Sequence, residues 1–182
     1  IPKFKDIYNS KVKSKIKINK KDKILCAKYR KGHFEGVLAV INQLLNTIKA
    51  RYMFLGNKDY QQVYLIKKFV KKKFNVKIIS CKTVRDNNLL AYSSRILNLS
   101  YSEKIKASIL TKELSKTFNK IKKNIKNLKK IKYLKGKFSK FGIKIEYLEI
   151  RNKFNLSKKF NRNNFKLFIA FYINKVRLID NF

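Results

Sequence analysis

Gly56-Asn57-Lys58-Asp59-Tyr60-Gln61-Gln62 is the stretch whose reading decides the fold. Just before it, Arg51 to Leu55 reads as a short buried strand that Gly56 ends. Just after it, Val63 to Val70 carries Leu65, Ile66, Phe69 and Val70 at helical spacing. The seven residues are therefore a strand-to-helix turn. A helix that opens at Lys58–Asp59 has its first N–H groups without intrahelical partners. Those donors, and the positive end of the helix dipole, suit a phosphate or a carboxylate. Lys58 adds a mobile point charge at the same place. Asp59 can cap the helix or accept from a sugar hydroxyl. Gln62, one turn into the helix, offers an acceptor and donors together. On its own, the turn is also what an ordinary capped βα junction looks like.

A second strand over 76–80 follows the helix 59–73 and completes a βαβ unit. Such units are right-handed and make their strands parallel neighbours. Both strands then end at one sheet edge, so the loops Gly56–Asp59 and Cys81–Arg85 are expected side by side. Open α/β sheets bind ligands at that edge. Beyond Arg85, Asp86-Asn87-Asn88 is a turn. Leu89-Leu90-Ala91-Tyr92-Ser93-Ser94-Arg95 then sets two hydroxyls beside a guanidinium. That is either a second anion cradle or a Ser-rich linker between domains.

Upstream, Lys15-Ile16-Lys17-Ile18 is a candidate edge strand blunted by lysine. Arg30-Lys31-Gly32-His33-Phe34-Glu35-Gly36-Val37 leads into a helix with Phe34, Val37, Leu38, Ile41, Leu45 and Ile48 on one face. His33, the only histidine, reads as a helix-start residue that caps or packs. Downstream, Ser100-x-x-Glu103 is a capping box. It opens a Lys-rich helical region to about residue 140, with Ile105, Ile109, Leu114, Phe118, Ile121, Ile125 and Leu128 expected on the buried side. From Ile143 the period changes to two. Ile145–Ile150, Phe165–Ile173 and Val176–Ile179 read as strands, the last two joined by a tight turn at Asn174-Lys175. The order is thus an α/β part followed by a small α+β part.

The chain has 182 residues and a formal charge of +37, with a pI of about 10.3. A basic RNA- or ribosome-associated protein is the first function class such a charge suggests. The pattern argues instead for codon drift toward Lys, Asn and Ile. Lysine is spread over every segment, and arginine, the better residue for phosphate forks, is scarce. At 45% hydrophobic the chain can bury a core. Where lysine is the default cation, a retained arginine answers a geometric need. That applies to Arg30, Arg85, Arg95, Arg151 and Arg177, while chance suffices for Arg51 and Arg162. Cys26 and Cys81 lack metal-ligand spacing, so no metal-ligating residues are assigned. Two cysteines, no secretory signal and no membrane-length apolar run place the chain in the cytoplasm. The sequence opens at Ile1 rather than Met, so the true N-terminus is expected upstream.

Four stretches together resemble the pantothenate synthetase (pantoate–β-alanine ligase) family. Arg30 to Val37 resembles its Arg-Pro-Gly-His-Phe-x-Gly-Val. Gly56 to Gln62 resembles its Gly-Glu-Lys-Asp-Tyr/Phe-Gln-Gln. Arg85 to Arg95 resembles its Arg-x-x-x-Gly-Leu-Ala-x-Ser-Ser-Arg-Asn. Arg177-Leu178-Ile179-Asp180-Asn181 resembles its closing Arg-Leu-Ile-Asp-Asn. Lys31 stands for Pro, Asn57 for Glu, Leu89 for Gly and Ile96 for Asn. The family's N-terminal part, with its His-x-Gly-His signature and a pantoate-binding Gln, has no counterpart in these residues.

The resemblance implies a truncated Rossmann-like domain of nucleotidylyltransferase type over 1–92. It implies an α+β lid domain over 93–182, with a hinge near Tyr92–Arg95. It also implies an ATP-dependent ligase that condenses pantoate with β-alanine through a pantoyl adenylate, inactive as an isolated fragment. ATP would contact Gly56, Asn57, Lys58, Asp59, Val84, Tyr92, Ser93, Ser94 and Arg95, with Lys58 and Arg95 catalytic and Gln62 on pantoate. Mg²⁺ would ride on the phosphates, and the enzyme would be a homodimer with no nucleic-acid or membrane partner. A decayed, non-catalytic copy is the alternative within the family.

Overall fold

The computed structural model describes residues 16–182. The chain divides into two units between Cys81 and Lys82. In the first unit, α1 (Cys26–Tyr29) and α2 (His33–Thr47) precede β1 (Tyr52–Gly56), α3 (Tyr60–Lys73) and β2 (Lys77–Cys81). The two strands are parallel, with Tyr52 opposite Lys77 and Gly56 opposite Cys81. This is the expected βαβ unit. α3 buries Val63, Leu65, Ile66 and Val70, and α2 buries Phe34, Leu38 and Leu45. The apolar spacing of each helix thus decides the side that packs.

Three expectations fail in this unit. β1 is not a buried strand: Tyr52 is 54% and Phe54 66% exposed. Its residues alternate in burial because one face of the pair lies uncovered. Ile48 is exposed and lies at the C-cap of α2 rather than on its packed face. Ile16–Ile18 form no strand; Ile18 instead buries its side chain. Lys15 lies outside the described residues.

The second unit holds α4 (Tyr101–Lys123), α5 (Lys129–Lys140) and the strands β3 (Ile143–Asn152), β4 (Phe165–Ile173) and β5 (Val176–Asn181). The strands form an antiparallel sheet in the order β3-β4-β5. Leu110, Leu114, Phe118 and Ile121 of α4 and Leu134 and Phe138 of α5 share one core with Ile143, Leu167, Ile169 and Phe171. The capping box is present. Ser100 N–H donates to Glu103 Oε2 at 2.7 Å, and Glu103 N–H donates to Ser100 Oγ at 3.3 Å. Those hydrogen bonds hold the Glu103 carboxyl below its ordinary value. Asn174 takes the tight turn with φ +50°, a backbone region asparagine tolerates.

The first turns of α4 differ from expectation. Ile105 and Ile109 are exposed, as is Ile125 beyond the helix. Leu114, Phe118 and Ile121 are buried as expected, and the face continues through Ala107, Leu110 and Thr111 rather than through Ile105 and Ile109. Ile105 and Ile109 continue at helical spacing into Lys112 and Lys116, which marks the solvent side. Both arginines of the Arg85–Arg95 stretch are tied to β5. Arg85 grips Asp180, and Arg95 donates to the Arg177 carbonyl at 3.1 Å.

Candidate functional site

In the first unit the turn after β1 is a single 3₁₀ turn, Asn57–Asp59, that runs into α3. Gly56 closes the strand against Cys81. Asp59 occupies the N-cap position of α3 but makes no side-chain capping hydrogen bond. Capping is therefore not what its carboxylate does. Tyr60 opens the helix half-buried, and burial raises its phenol above the ordinary range.

The two glutamines separate cleanly. Gln61 is 5% exposed. Its amide donates to the Asp22 and Ile24 carbonyls at 3.1 and 2.7 Å, and its oxygen accepts from Ala27 N–H at 3.3 Å. Gln61 thus pins the segment before α1 to the start of α3. Gln62, half-buried beside it, has no hydrogen-bond partner among the described residues. Its amide remains available to a ligand. Lys68 adds a second clamp of α3, with Nζ 2.5 Å from Asp22 Oδ2. Burial lowers its pKa and the Asp22 contact raises it, with a net upward shift.

His33 is the first residue of α2, as the sequence suggests. Arg30 Nη1 lies 2.7 Å from its Nε2. A guanidinium can only donate, so Nε2 accepts and the ring proton sits on Nδ1. The His33 ring also packs on Phe34, with centroids 5.0 Å apart.

In the second unit the Arg85–Arg95 stretch forms a closed loop. Arg85 and Ala91 bridge, and Tyr92 N–H donates to the Val84 carbonyl at 3.1 Å. Asp86 Oδ1 accepts from Asn88 and Leu90 N–H, which makes the expected turn. The loop brings Val84, Tyr92, Ser93, Ser94 and Arg95 into one neighbourhood. Val84 and Tyr92 are 70% and 61% exposed. Ser93 Oγ is buried without a hydrogen-bond partner. Such an orphaned hydroxyl is what a bound polar group would satisfy. The linker reading fails, because both ends of the loop are fastened.

Sequence reasoning did not foresee the fastening itself. Arg85 forks onto Asp180 with 2.6 and 2.8 Å contacts, and also donates to the carbonyls of Leu89 and Asn181. The closing motif Arg177 to Asn181 therefore receives both arginines of the Arg85–Arg95 motif. The retained arginines do answer geometry: Arg151 forks onto Glu149, and Arg177 onto Glu146 at the β3 bulge. Even Arg162, assigned to chance, donates to the Lys122 carbonyl. On β4, burial and then Lys122 lower the pKa of Lys166 to about 8. No sequence signal pointed to it.

Leu89 has φ +66°. It stands where the resembled motif has glycine, in a backbone region that crowds a Cβ. Leu89→Gly is expected to raise stability by about 0.5–1 kcal/mol, the strain relieved less the added freedom of the unfolded chain. Urea unfolding measures it. Unchanged or lower stability would mean the loop is not strained there.

Among the described residues no helix is long and apolar enough to cross a membrane. The pantoate–β-alanine ligase family model matches residues 1–182. The chain is 39% identical to the pantothenate synthetase of Francisella tularensis subsp. mediasiatica, over all of this chain and 62% of that protein. It is 35% identical to the Clostridium botulinum pantothenate synthetase, again over all of this chain and 66% of the relative. It is 38% identical to a Prochlorococcus marinus bifunctional pantoate ligase/cytidylate kinase, of which it covers 36%. The chain thus spans about two thirds or less of the length of the curated relatives it matches. A Francisella tularensis pantoate–β-alanine ligase, solved with β-γ ATP and β-alanine, superposes with TM-score 0.73 at 38% identity. It covers 92% of this chain and 56% of its own. The Thermus thermophilus pantothenate synthetase shares the fold, with TM-score 0.87 over 100% of this chain and 67% of its own.

Proposed function

The chain belongs to the pantoate–β-alanine ligase family, and on that premise we propose that it carries the nucleotide half-sites of an ATP-dependent ligase joining pantoate to β-alanine. The observation that carries this reading is the turn after β1. It combines an N-cap aspartate that caps nothing with a glutamine that bonds nothing, at the C-terminal edge of a parallel pair. Residues serving the fold alone would be engaged, as Gln61 is. A likeness to the Francisella structure solved with a nucleotide and β-alanine supports the same substrates here.

The chemistry suits these groups. A carboxylate is already a nucleophile at neutral pH, so pantoate needs positioning rather than a base to attack the α-phosphorus of ATP. The P–O bond to pyrophosphate breaks as the acyl–phosphate bond forms. Charge builds on the leaving pyrophosphate, where Lys58, Ser93, Ser94 and Arg95 would bind it. Gly56 and Asp59 would hold the ribose, with Asn57 alongside. Tyr92 and the backbone of Val84 would meet the adenine, and Gln62 the pantoate. The β-alanine amine then displaces AMP from the acyl adenylate and yields pantothenate. Among the described residues no group of three His, Cys, Asp or Glu can hold a metal ion. The described residues therefore offer Mg²⁺ no such cage. The ion would ride on phosphate oxygens and water, and no step is assigned to it.

The same reading makes residues 1–92 a nucleotide- and pantoate-binding part, residues 93–182 a lid, and the enzyme a cytosolic homodimer. Calorimetric titration with a non-hydrolysable ATP analogue tests the proposal. Saturable binding is expected, undiminished by a competing RNA oligomer at physiological salt. Tight, steeply salt-dependent RNA binding without affinity for the analogue would overturn it in favour of a basic RNA-associated protein.

A further inference from the structure

Arg95 is exposed, and its one hydrogen-bond partner among the described residues is the Arg177 carbonyl at 3.1 Å. One of the five guanidinium N–H groups is used there, and the others remain for phosphate oxygens. The place of that carbonyl therefore decides where those donors stand. β5 is an edge strand, paired with β4 alone. Phe182 and Leu167 exchange both backbone hydrogen bonds, at 3.0 and 3.1 Å. Bonded and non-bonded residues alternate along an antiparallel pair. Leu178 and Asp180 thus face β4 as Phe182 does, while Arg177, Ile179 and Asn181 turn their carbonyls to the outer edge. Arg85 takes the Asn181 carbonyl at 3.1 Å, and Arg95 takes that of Arg177, four residues back. The two arginines hold opposite ends of one edge.

Those ends are secured differently. Asn181 adjoins the Arg85–Asp180 fork. Arg177 is the second residue of β5, just after the Asn174-Lys175 turn, where an edge strand is prone to fray. What secures it lies on the face of the sheet. Arg177 Nε and Nη2 donate to Glu146 Oε2 at 3.2 and 2.5 Å, and Tyr172 OH donates to Glu146 Oε1 at 3.2 Å. Tyr172 stands opposite Arg177 in the ladder. Glu146 sits where the register of β3 shifts, between Ile145 and Tyr147, and such a bulge re-aims a side chain. One carboxylate thus ties all three strands together, with the Arg177 and Glu146 side chains only 12% and 10% exposed. We propose that Glu146 is a positioning residue for Arg95: by fastening Arg177 across the sheet, it fixes the carbonyl that aims the Arg95 guanidinium at the leaving pyrophosphate. Glu146 itself touches no substrate. The proposal rests on the reading of Arg95 as a phosphate ligand.

Two measurements on the full chain test it. The first is side-chain ¹⁵N relaxation of the Arg95 Nε without nucleotide, so that its outcome is independent of whether ATP binds. Arg95 is expected to be ordered in the wild type and mobile in Glu146→Ala. Glu146→Gln, which keeps an acceptor but loses the charge, should fall between them and serves where Glu146→Ala does not fold. An Arg95 side chain equally ordered, or equally mobile, in wild type and both variants would overturn the proposal. The second is a double-mutant cycle on binding of the non-hydrolysable ATP analogue. Glu146→Ala is expected to weaken binding about tenfold, the scale of a charge-assisted hydrogen bond. In an Arg95→Ala background the same change should cost almost nothing, because nothing is left to aim. Losses that simply multiply would show a general structural effect and sink the link between the two residues. A wild type that fails to bind the analogue would remove the reading of the site, and the relaxation comparison would still decide whether Glu146 holds Arg95.

Discussion

Lys58→Ala is expected to slow pyrophosphate release from ATP and pantoate by about 10²–10³-fold. Lys58 lies in the 3₁₀ turn that delivers β1 into α3. There an ammonium adds to the dipole of a 14-residue helix. The charge it meets is largest as the bond to pyrophosphate breaks, so its contribution is greater in the transition state than in bound ATP. The loss should therefore fall mainly on kcat, with KM for ATP changed less. Lys58→Arg should restore part of the rate, since charge is kept while reach and geometry differ. Rapid-quench measurement of pyrophosphate reads the step directly. A rate for Lys58→Ala equal to wild type would remove Lys58 from the machinery. A rise in KM alone would reduce it to a ground-state contact.

What the letters revealed, and what they hid, follows from the range of the interactions. The βαβ unit, the capping box and the three antiparallel strands each rest on local spacing, and the structure has all of them. The strand-to-helix turn was readable because a strand end, a glycine and a helix start are neighbours in sequence. Three features were not readable. Gln61 and Gln62 are adjacent and chemically identical, and only burial tells the clamp from the available amide. The first turns of α4 were misread because Ile105 and Ile109 are apolar at helical spacing yet lie on the solvent face, while Leu114, Phe118 and Ile121 pack as expected. The burial of β1 was overestimated because an apolar run reports strand propensity and not cover, and Tyr52 and Phe54 are exposed. Leu89 was flagged for its missing glycine, and its φ of +66° shows why the position prefers one.

Asp180→Ala is expected to cost the second unit about 3–5 kcal/mol, the largest stability effect foreseen. Asp180 and Arg85 are 95 residues apart, and their side chains are 5% and 20% exposed. Their fork is supported on every side. Arg85 also donates to the Leu89 and Asn181 carbonyls, its guanidinium lies 4.9 Å from the Phe182 ring centroid, and Asn181 N–H donates to Asp180 Oδ1. Removing the carboxylate leaves a largely buried cation with half its partners gone, and the cost comes from that orphaned charge rather than from a lost attraction. Two controls separate these terms. Arg85→Lys keeps the charge but cannot fork, and should fall between the extremes. Arg85→Met with Asp180→Leu removes both charges and should cost much less than Asp180→Ala alone. Urea unfolding of the full chain distinguishes them, and a penalty under about 1 kcal/mol for Asp180→Ala would mean that water or the lysines already compensate the pair. The functional consequence is specific. The same fork closes the loop that carries Ser93, Ser94 and Arg95, so Asp180→Ala should weaken binding of the ATP analogue under conditions where the chain remains folded, although Asp180 is assigned no contact with nucleotide.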